Sequence, residues 1–205
     1  MNDKFFDLRK EKQDRMINGA LKIFALNGYQ KASTDDIVKE AGISKGLLFH
    51  YFGSKAGLYT FVYEYSARYM AMELQRAISL RERDLFLLFA QIEEAKNVLL
   101  RNYPYMQKFL FGGEEISDDA IREGIKDYTG MAEAAMDEAL GRADYDRLLP
   151  EADVELLVRS MHYVTRGLME TALTKRLDSD FVYKEATAFC MMMREKFTKP
   201  EYLEA

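Results

Sequence analysis

The side chains that could contact nucleic acid are concentrated in the segment Lys45–Phe52. In a helix, Leu48 and Phe52 lie four residues apart and share one face, which would pack on a core. The other side chains would be exposed, and groups of their size can reach base edges and phosphates in a major groove. An ordinary surface helix with two rings packed on its neighbours fits the same pattern. The exposed set consists of Lys45, Gly46, Leu47, Phe49, His50 and Tyr51.

The residues before this segment predict the elements that would position it. Ser33 or Thr34 can cap a short helix that begins with acidic residues and ends at Ala41. Gly42 permits the positive φ of a tight turn, and Ser44 can cap the helix that follows. This succession predicts a helix-turn-helix.

The same stretch resembles the signature of a known family. The run Ala41–Phe52, with Ser54-Lys55 and Leu58-Tyr59 after it, resembles the DNA-binding signature of the TetR family of transcriptional regulators. The resemblance also extends upstream, so that it covers roughly residues 9–60. It implies an N-terminal DNA-binding domain followed by a helical ligand-binding and dimerisation domain.

The resemblance also implies roles for single residues. Leu47 and Phe49 depart from the family, which often has Thr or another polar residue and Tyr there, so each lacks a possible hydroxyl contact. The residues assigned to phosphates are Thr34, Ser44, Tyr51 and Lys55. Those assigned to the groove surface are Lys45, Gly46, Leu47, Phe49 and His50.

The net charge of −5 is distributed unevenly along the 205 residues. Residues 1–58 contain 10 Lys and Arg against 7 Asp and Glu, which gives +3, whereas residues 59–205 contain 19 against 27, which gives −8. A basic end on an otherwise acidic protein is expected when only that end meets phosphate.

The sequence contains few residues suited to metal binding or catalysis. Its one cysteine, Cys190, excludes an internal disulfide, and its two histidines lie far apart without zinc-type spacing. Phosphate-binding Gly-rich loops are absent from the sequence. We therefore expect no metal, no cofactor and no enzymatic activity. Because no long apolar run is present, we also expect a cytoplasmic protein without a membrane segment.

Helical spacing of apolar residues continues to the C-terminus, which predicts an all-α fold. We expect residues 1–8 to be a frayed extension of the first helix. The predicted domains are residues 1–54, a helix-turn-helix DNA-binding domain, and residues 55–205, a helical ligand-binding and dimerisation domain. The predicted helices after the helix-turn-helix cover about residues 55–80, 84–100, 105–111, 120–125, 128–140 and 150–177, with a final helix that ends before Lys199-Pro200.

Residues after position 55 are rich in Met and aromatic side chains, most of which we expect in a helical core. Because Met adapts to varied shapes and Tyr adds a polar group to an apolar ring, some of them suit a mostly apolar pocket. A polar stripe on the 150–177 helix could contact a polar end of a ligand, or it could form a ladder of salt bridges. The candidate ligand-binding residues are Phe89, Tyr103, Phe109, Tyr128, Met131, Arg159, His162 and Arg166.

The last two predicted helices are joined by a short polar turn, which predicts an αα-hairpin. Two such hairpins related by a two-fold axis would form a four-helix interface in a homodimer. The candidate interface residues are Val164, Gly167, Leu168, Ala172, Ala186, Phe189 and Met193.

These observations favour a TetR-like regulator, a repressor that a small, mostly apolar effector releases from a palindromic operator. Two alternatives stay open. One is a dimeric DNA-binding protein that responds to no ligand. The other is a helical protein that binds small molecules and carries a degenerate DNA-binding head. A gel shift on palindromic DNA that shows no binding would identify the protein with a degenerate head. A screen that finds no compound able to release the DNA would identify the ligand-independent protein.

Overall fold

The computed structural model describes residues 3–112 and 116–203. The regular structure in these ranges is helical, apart from an isolated antiparallel β-bridge between Leu148 and Thr198. The predicted all-α fold class is confirmed. The α-helices are α1 (Asp3–Phe6), α2 (Lys10–Lys31), α3 (Thr34–Ala41), α4 (Lys45–Phe52), α5 (Lys55–Ala77), α6 (Leu85–Asn102), α7 (Met106–Phe111), α8 (Asp119–Ile125), α9 (Met131–Leu140), α10 (Val154–Lys175) and α11 (Ser179–Phe197), with short 3-10 helices at Tyr145–Arg147 and Pro200–Tyr202.

The chain packs as two compact units. The first unit comprises residues 1–71 and 102–132, and the second comprises residues 72–101 and 133–205. This division differs from the predicted boundary between residues 54 and 55, because most of α5 packs in the same unit as the helices that precede it. The assignment of separate functions to residues 1–54 and 55–205 stays a prediction.

In the first unit, α2 and α3 approach each other closely. A Cβ added at Gly19 would lie 2.9 Å from the Cβ of Ala41, so only glycine fits between these two helices. Met16, Ala20 and Phe24 of α2 are buried. Gly28, near the end of α2, has non-helical angles of φ 70° and ψ 168°.

In the second unit, α10 and α11 form the predicted hairpin. Asp153 caps α10 by accepting a hydrogen bond from the Leu156 amide, so this helix begins after the predicted start at Pro150. Asp178 caps α11 in the same way through the Phe181 amide. Asp84 caps α6 by accepting a hydrogen bond from the Phe86 amide, and it also accepts one from Arg194 of α11 at 2.7 Å.

Candidate nucleic-acid interface

The turn between α3 and α4 has the geometry that the sequence predicts. The Ser33 hydroxyl accepts a hydrogen bond from the Asp36 amide at 3.0 Å, and the Ser44 hydroxyl accepts one from the Leu47 amide at 3.2 Å. Gly42 lies in the left-handed region at φ 62°. These caps satisfy the first amides of both helices and fix the angle at which the chain enters α4.

One face of α4 packs on the interior of the first unit. Leu48 is 1% exposed, and the ring of Phe52 lies 5.4 Å from the ring of Phe5 and 5.0 Å from that of Phe61. Phe5 itself is fully buried, so the expectation of a frayed start is wrong for α1. The N-terminal helix therefore supports α4 from the inside through contacts between aromatic rings.

The opposite face of α4 is open to solvent. Lys45, Gly46, Phe49 and His50 are exposed, whereas the predicted groove residue Leu47 is half-buried. A Cβ added at Gly46 would meet nothing within 4 Å, which leaves the backbone of the first turn accessible. This helix thus presents a cation, an imidazole and an aromatic ring beside open backbone, a set of groups that can dock in a major groove.

Lys45 has a carboxylate partner on the neighbouring helix. Its ammonium lies 2.8 Å from Asp35 Oδ1, and the two side chains are 50% and 73% exposed. An ion pair with this exposure contributes little to stability, because water and salt screen it. A phosphate could therefore replace Asp35 as the partner of Lys45 at small cost.

The residues predicted to contact phosphates differ in their burial and in the hydrogen bonds that they already make within the protein. Thr34 and Tyr51 are half-buried, and the hydroxyl of Ser44 caps α4. The ammonium of Lys55 donates hydrogen bonds to the carbonyls of Tyr29 at 2.9 Å and Ala32 at 3.1 Å. It therefore satisfies carbonyls at the end of α2. This structural role was not predicted, and the phosphate contact of Lys55 stays a prediction.

The candidate ligand-binding residues of the first unit lie mainly in its core. Tyr103 is buried, and its hydroxyl donates to Asp14 Oδ1 at 2.5 Å while it accepts from Lys10 at 2.9 Å. Burial, followed by the hydrogen bonds with Asp14 and Tyr65, raises the pKa of Tyr103. The hydroxyl predicted to meet a ligand is thus already engaged, and we reassign Tyr103 to the core.

Two other candidates of this unit also have protein partners. The ring of Phe109 packs 5.2 Å from that of Tyr59, so the core interpretation holds for this residue. The ring of Tyr128 lies 5.1 Å from the guanidinium of Arg68 in a cation–π contact. Met131 is half-buried.

The candidates of the second unit include a buried polar group. His162 packs its ring 5.1 Å from that of Phe89, which is fully buried. Its Nε2 atom is buried without a hydrogen-bond partner among residues 3–112 and 116–203. Nearby on α6, the Glu93 carboxylate and the Lys96 ammonium form an ion pair at 2.6 Å, with side chains only 2% and 6% exposed.

The polar stripe on α10 therefore splits between two environments. Arg159 pairs with Glu155 at 2.9 Å, as the salt-bridge interpretation predicts, and Arg166 is exposed. His162 instead points away from this ladder toward Phe89 and the ion pair on α6. Of the eight candidate ligand-binding residues, four belong to the first unit and four to the second.

Burial and then the charge of Lys96 lower the pKa of His162, although the carboxylates of Glu93 and Asp137 oppose this shift. The unfolded chain therefore takes up this proton at a higher pH than the folded protein. The contribution of neutral His162 to the free energy of unfolding should be fully present above about pH 6.5. As the pH falls below this value, the contribution should decrease by at most about 1.4 kcal/mol per pH unit.

Urea unfolding at several pH values would test this dependence. Between about pH 7 and pH 5, the free energy of unfolding should fall less steeply in His162→Gln than in the unchanged protein. His50→Gln makes the same replacement at an exposed position and serves as the matched comparison. Equal slopes in the unchanged protein and in His162→Gln would contradict the prediction.

Cys190 packs in the same region. Its Sγ lies 3.9 Å from the sulfur of Met161, and burial raises the pKa of the thiol to about 12. The thiol therefore stays protonated near neutral pH, and Cys190 acts as a small packing residue.

The candidate dimer residues divide into buried and accessible groups. Ala172 and Ala186 are 4% and 1% exposed, so they pack inside the protomer, and their place in a dimer interface stays a prediction. The small side chains let α10 and α11 approach within one hairpin, which sequence spacing alone did not distinguish from an approach between protomers. Gly167 is exposed. Val164, Leu168, Phe189 and Met193 are half-buried.

Exposed apolar side chains that were not predicted lie on the same hairpin. Leu156, Tyr163 and Met192 are 49%, 67% and 49% exposed. These three side chains lie on the two helices for which the sequence predicts the dimer interface. Their exposure could not be read from composition, because apolar residues recur on several faces of both helices.

Two further findings concern metals and membranes. In the described part of the chain, no three His, Cys, Asp or Glu residues are grouped so that they could hold a metal ion. Among the same residues, we find no helix with the length and apolar character needed to span a bilayer.

Comparisons with known proteins match both the head and the overall fold. Residues 16–60 match the family model of bacterial regulatory proteins, tetR family. The uncharacterized HTH-type transcriptional regulator YuxN of Bacillus subtilis (strain 168) is 49% identical over 49 residues, which cover 24% of this chain and 17% of that relative.

Two solved structures illustrate the match in fold. The TetR family transcriptional regulator PfmR from Thermus thermophilus is 21% identical, with 87% of this chain and 96% of that chain covered and a TM-score of 0.57. The transcriptional regulator FadR from Bacillus subtilis, in complex with stearoyl-CoA, is 16% identical, with 86% and 96% covered and a TM-score of 0.56. At such identities the likeness establishes a common fold.

Proposed function

Because this chain is a member of the TetR family of bacterial regulatory proteins, we propose that it represses transcription by binding a palindromic operator as a homodimer. A small, mostly apolar effector would release it from the DNA. The observation that carries the proposal is the position of α4, which is capped by Ser44, packed through Leu48 and open to solvent at Lys45, Phe49 and His50.

In the proposed complex, α4 enters the major groove. The groove contacts are assigned to Lys45, Gly46, Leu47, Phe49 and His50, and the phosphate contacts to Thr34, Ser44, Tyr51 and Lys55. A two-fold dimer would present its two copies of α4 to half-sites about 34–36 Å apart. Selection from a random duplex library should therefore return (pseudo)palindromes with half-sites about one helical turn apart.

Charge changes around Lys45 test the docking face. Lys45→Ala should weaken DNA binding and reduce the slope of log affinity against log salt by about one unit, because the face loses one cation that displaces counterions from the DNA. Asp35→Asn should strengthen binding, because it removes the carboxylate that competes for Lys45. Net charge alone would give the same two directions, so a charge change outside α4 is needed to identify the docking face.

The exposed ion pair between Lys126 and Glu123, in the later segment of the first unit, offers a matched control. Lys126→Ala removes an equal charge and should leave the salt slope unchanged. If Lys45→Ala and Lys126→Ala behaved alike, α4 would not be the docking face. If no duplex were bound at all, the alternative of a degenerate head would replace the proposal.

Dimerisation is proposed to use the exposed surface of α10 and α11, where Gly167 lies on the same helix as Leu156 and Tyr163. A Cβ added at Gly167 would meet nothing within 4 Å inside the protomer. Gly167→Leu should therefore stabilise the isolated helix by up to about 1 kcal/mol while it blocks the close approach of a second copy.

Sedimentation at several concentrations would measure the expected weaker dimer, with a dissociation constant raised at least about tenfold. Tyr163→Glu should have the same effect by placing a charge against the interface. Leu26→Glu, at a residue that is 52% exposed in the first unit, is a control that should stay dimeric. An unchanged dimer in both α10 variants would place the interface elsewhere.

Effector binding is proposed for the helices of residues 55–205. The polar groups of the second unit support it, because buried charges and an unpartnered imidazole suit a site that receives a polar part of a ligand. Among proteins of similar fold, FadR binds stearoyl-CoA, which has a long apolar chain. A screen for compounds that release operator DNA would test this proposal, and the absence of any such compound would favour the ligand-independent alternative.

A further inference from the structure

A small pocket in the second unit combines apolar walls with one cationic side chain. Its volume is about 220 Å³, and it lies between the last turn of α5, the segment that follows it, and α9. This volume corresponds to roughly seven water volumes of about 30 Å³ each. The lining residues are Leu74, Gln75, Ile78, Leu80, Ala135, Glu138, Ala139 and Arg142.

The apolar wall of the pocket is not fully covered by the protein. Leu74, Ile78 and Ala139 are buried, but Leu80 is 71% exposed. A hydrocarbon chain seated against Leu80 would remove apolar surface of both partners from water. The wall therefore suits an aliphatic group of short length.

The cationic end of the pocket lacks a good partner. The guanidinium Nε of Arg142 is buried and has no hydrogen-bond partner among the described residues. Its nearest carboxylate, on Glu138, lies 4.0 Å from Nη1, and the Glu138 side chain is 68% exposed. A contact this long and this exposed is weak, so Arg142 keeps most of its capacity to bind an anion.

A carboxylate matches this capacity in shape and charge. The planar guanidinium can donate two parallel hydrogen bonds to the two oxygens of one carboxylate, and Nε is one of the donors on such an edge. The unsatisfied Nε would thereby gain the acceptor that the chain does not provide.

We infer that this pocket binds a short aliphatic monocarboxylate, with the chain against Leu80 and Ile78 and the carboxylate on Arg142. A ligand of about seven or eight non-hydrogen atoms is comparable in size with this volume. Glu138 weakens the site, because its negative charge lies beside the ligand carboxylate. The inference does not rest on DNA binding, since the site is complete within the second unit of one chain.

Hexanoate is the probe for this site, and titration calorimetry on the full chain without DNA measures its binding. We expect saturable 1:1 binding with a dissociation constant of about 1 mM or lower. Acetate, which lacks the chain, and hexylamine, which carries the opposite charge, should bind at least about tenfold more weakly. Amide chemical-shift changes should centre on Leu80 and Ala135.

Two substitutions should change hexanoate affinity in opposite directions. Arg142→Gln should weaken binding at least about tenfold, because a charged hydrogen-bond donor is lost. Glu138→Gln should strengthen it, and because Glu138 is exposed this variant keeps the fold. Lys126→Gln removes an equal positive charge from the first unit and should leave the affinity unchanged.

Three results would overturn the inference. They are a lack of saturable hexanoate binding well above about 1 mM, equal binding of hexanoate and hexylamine, and shift changes centred outside the pocket. Weaker binding in Glu138→Gln would contradict it independently of how Arg142→Gln folds. If the protein bound hexanoate but did not bind DNA, this inference would stand and only the proposed repressor function would be contradicted.

Discussion

Truncation of Phe5 to Ala is expected to lower the free energy of unfolding by about 3–5 kcal/mol, the range for large buried aromatic side chains. Phe5 is fully buried although it is the fifth residue of the chain. Its ring contacts those of Phe61 at 4.9 Å and Phe52 at 5.4 Å. The change would leave a cavity beneath α4, which these rings support.

The neighbouring residue offers a matched control. Phe6 is 41% exposed, so Phe6→Ala removes the same side chain from the same helix with much less loss of burial. Urea unfolding of the two variants measures the difference, and we expect Phe6→Ala to cost less than half as much as Phe5→Ala. The comparison separates the packing of one ring from any general effect of changing α1.

The Phe5 variant should also bind DNA less well. Because Phe52 lies on α4 and contacts Phe5, loss of this ring would loosen the helix that we propose to dock in the groove. Gel shifts at a temperature where Phe5→Ala is still folded would measure this effect. A variant with unchanged stability would show that α1 does not support α4. A Phe5→Ala variant that is less stable but binds DNA normally would show that α1 contributes to stability alone.

The helix caps and the turn of the proposed DNA-binding face could be predicted because they depend on residues close in sequence. Ser33, Gly42 and Ser44 each act within three residues of their own position, so their types and spacing carry the information. The buried face of α4 was predictable through Leu48 for the same reason. Local rules thus account for the whole outline of the helix-turn-helix.

Contacts between residues distant in sequence could not be predicted. Lys55 donates to carbonyls more than twenty positions earlier, and Gly19 meets Ala41 across a helix crossing. Similarly, the hydrogen bond of Tyr103 to Asp14 joins positions 89 apart. Helical periodicity shows which face of a helix is apolar, but it does not show which neighbour covers it. The engaged hydroxyl of Tyr103 and the burial of Ala172 and Ala186 within one chain were not predicted for this reason.

Lys96→Met is the second change with a large expected effect, a loss of about 3–5 kcal/mol in the free energy of unfolding. Glu93 and Lys96 are both buried on α6, and their charged atoms lie 2.6 Å apart. Removal of the ammonium leaves the carboxylate of Glu93 without its partner in a site where water cannot replace it. Glu93→Gln should also destabilise the protein, because it leaves the buried ammonium of Lys96 without its charged partner.

The double variant Glu93→Leu, Lys96→Met should recover most of that loss. Two apolar side chains of similar size need no partner, and replacement of a whole buried ion pair is often neutral or stabilising. A double-mutant cycle by urea unfolding therefore should show strong coupling between the two positions. The exposed pair Glu155–Arg159 is the control, and its cycle should give less than about 1 kcal/mol.

The double variant also separates stability from function. If buried charge is retained at this position for the effector, the double variant should fold, dimerise and bind operator DNA, yet lose release by the compounds that act on the unchanged protein. His162, which lies close enough for Lys96 to lower its pKa, would then lack the charged part of its surroundings. A double variant that keeps full release would show that the ion pair contributes nothing to effector binding. Equal instability of the single and double variants would show that the two charges do not act as a pair.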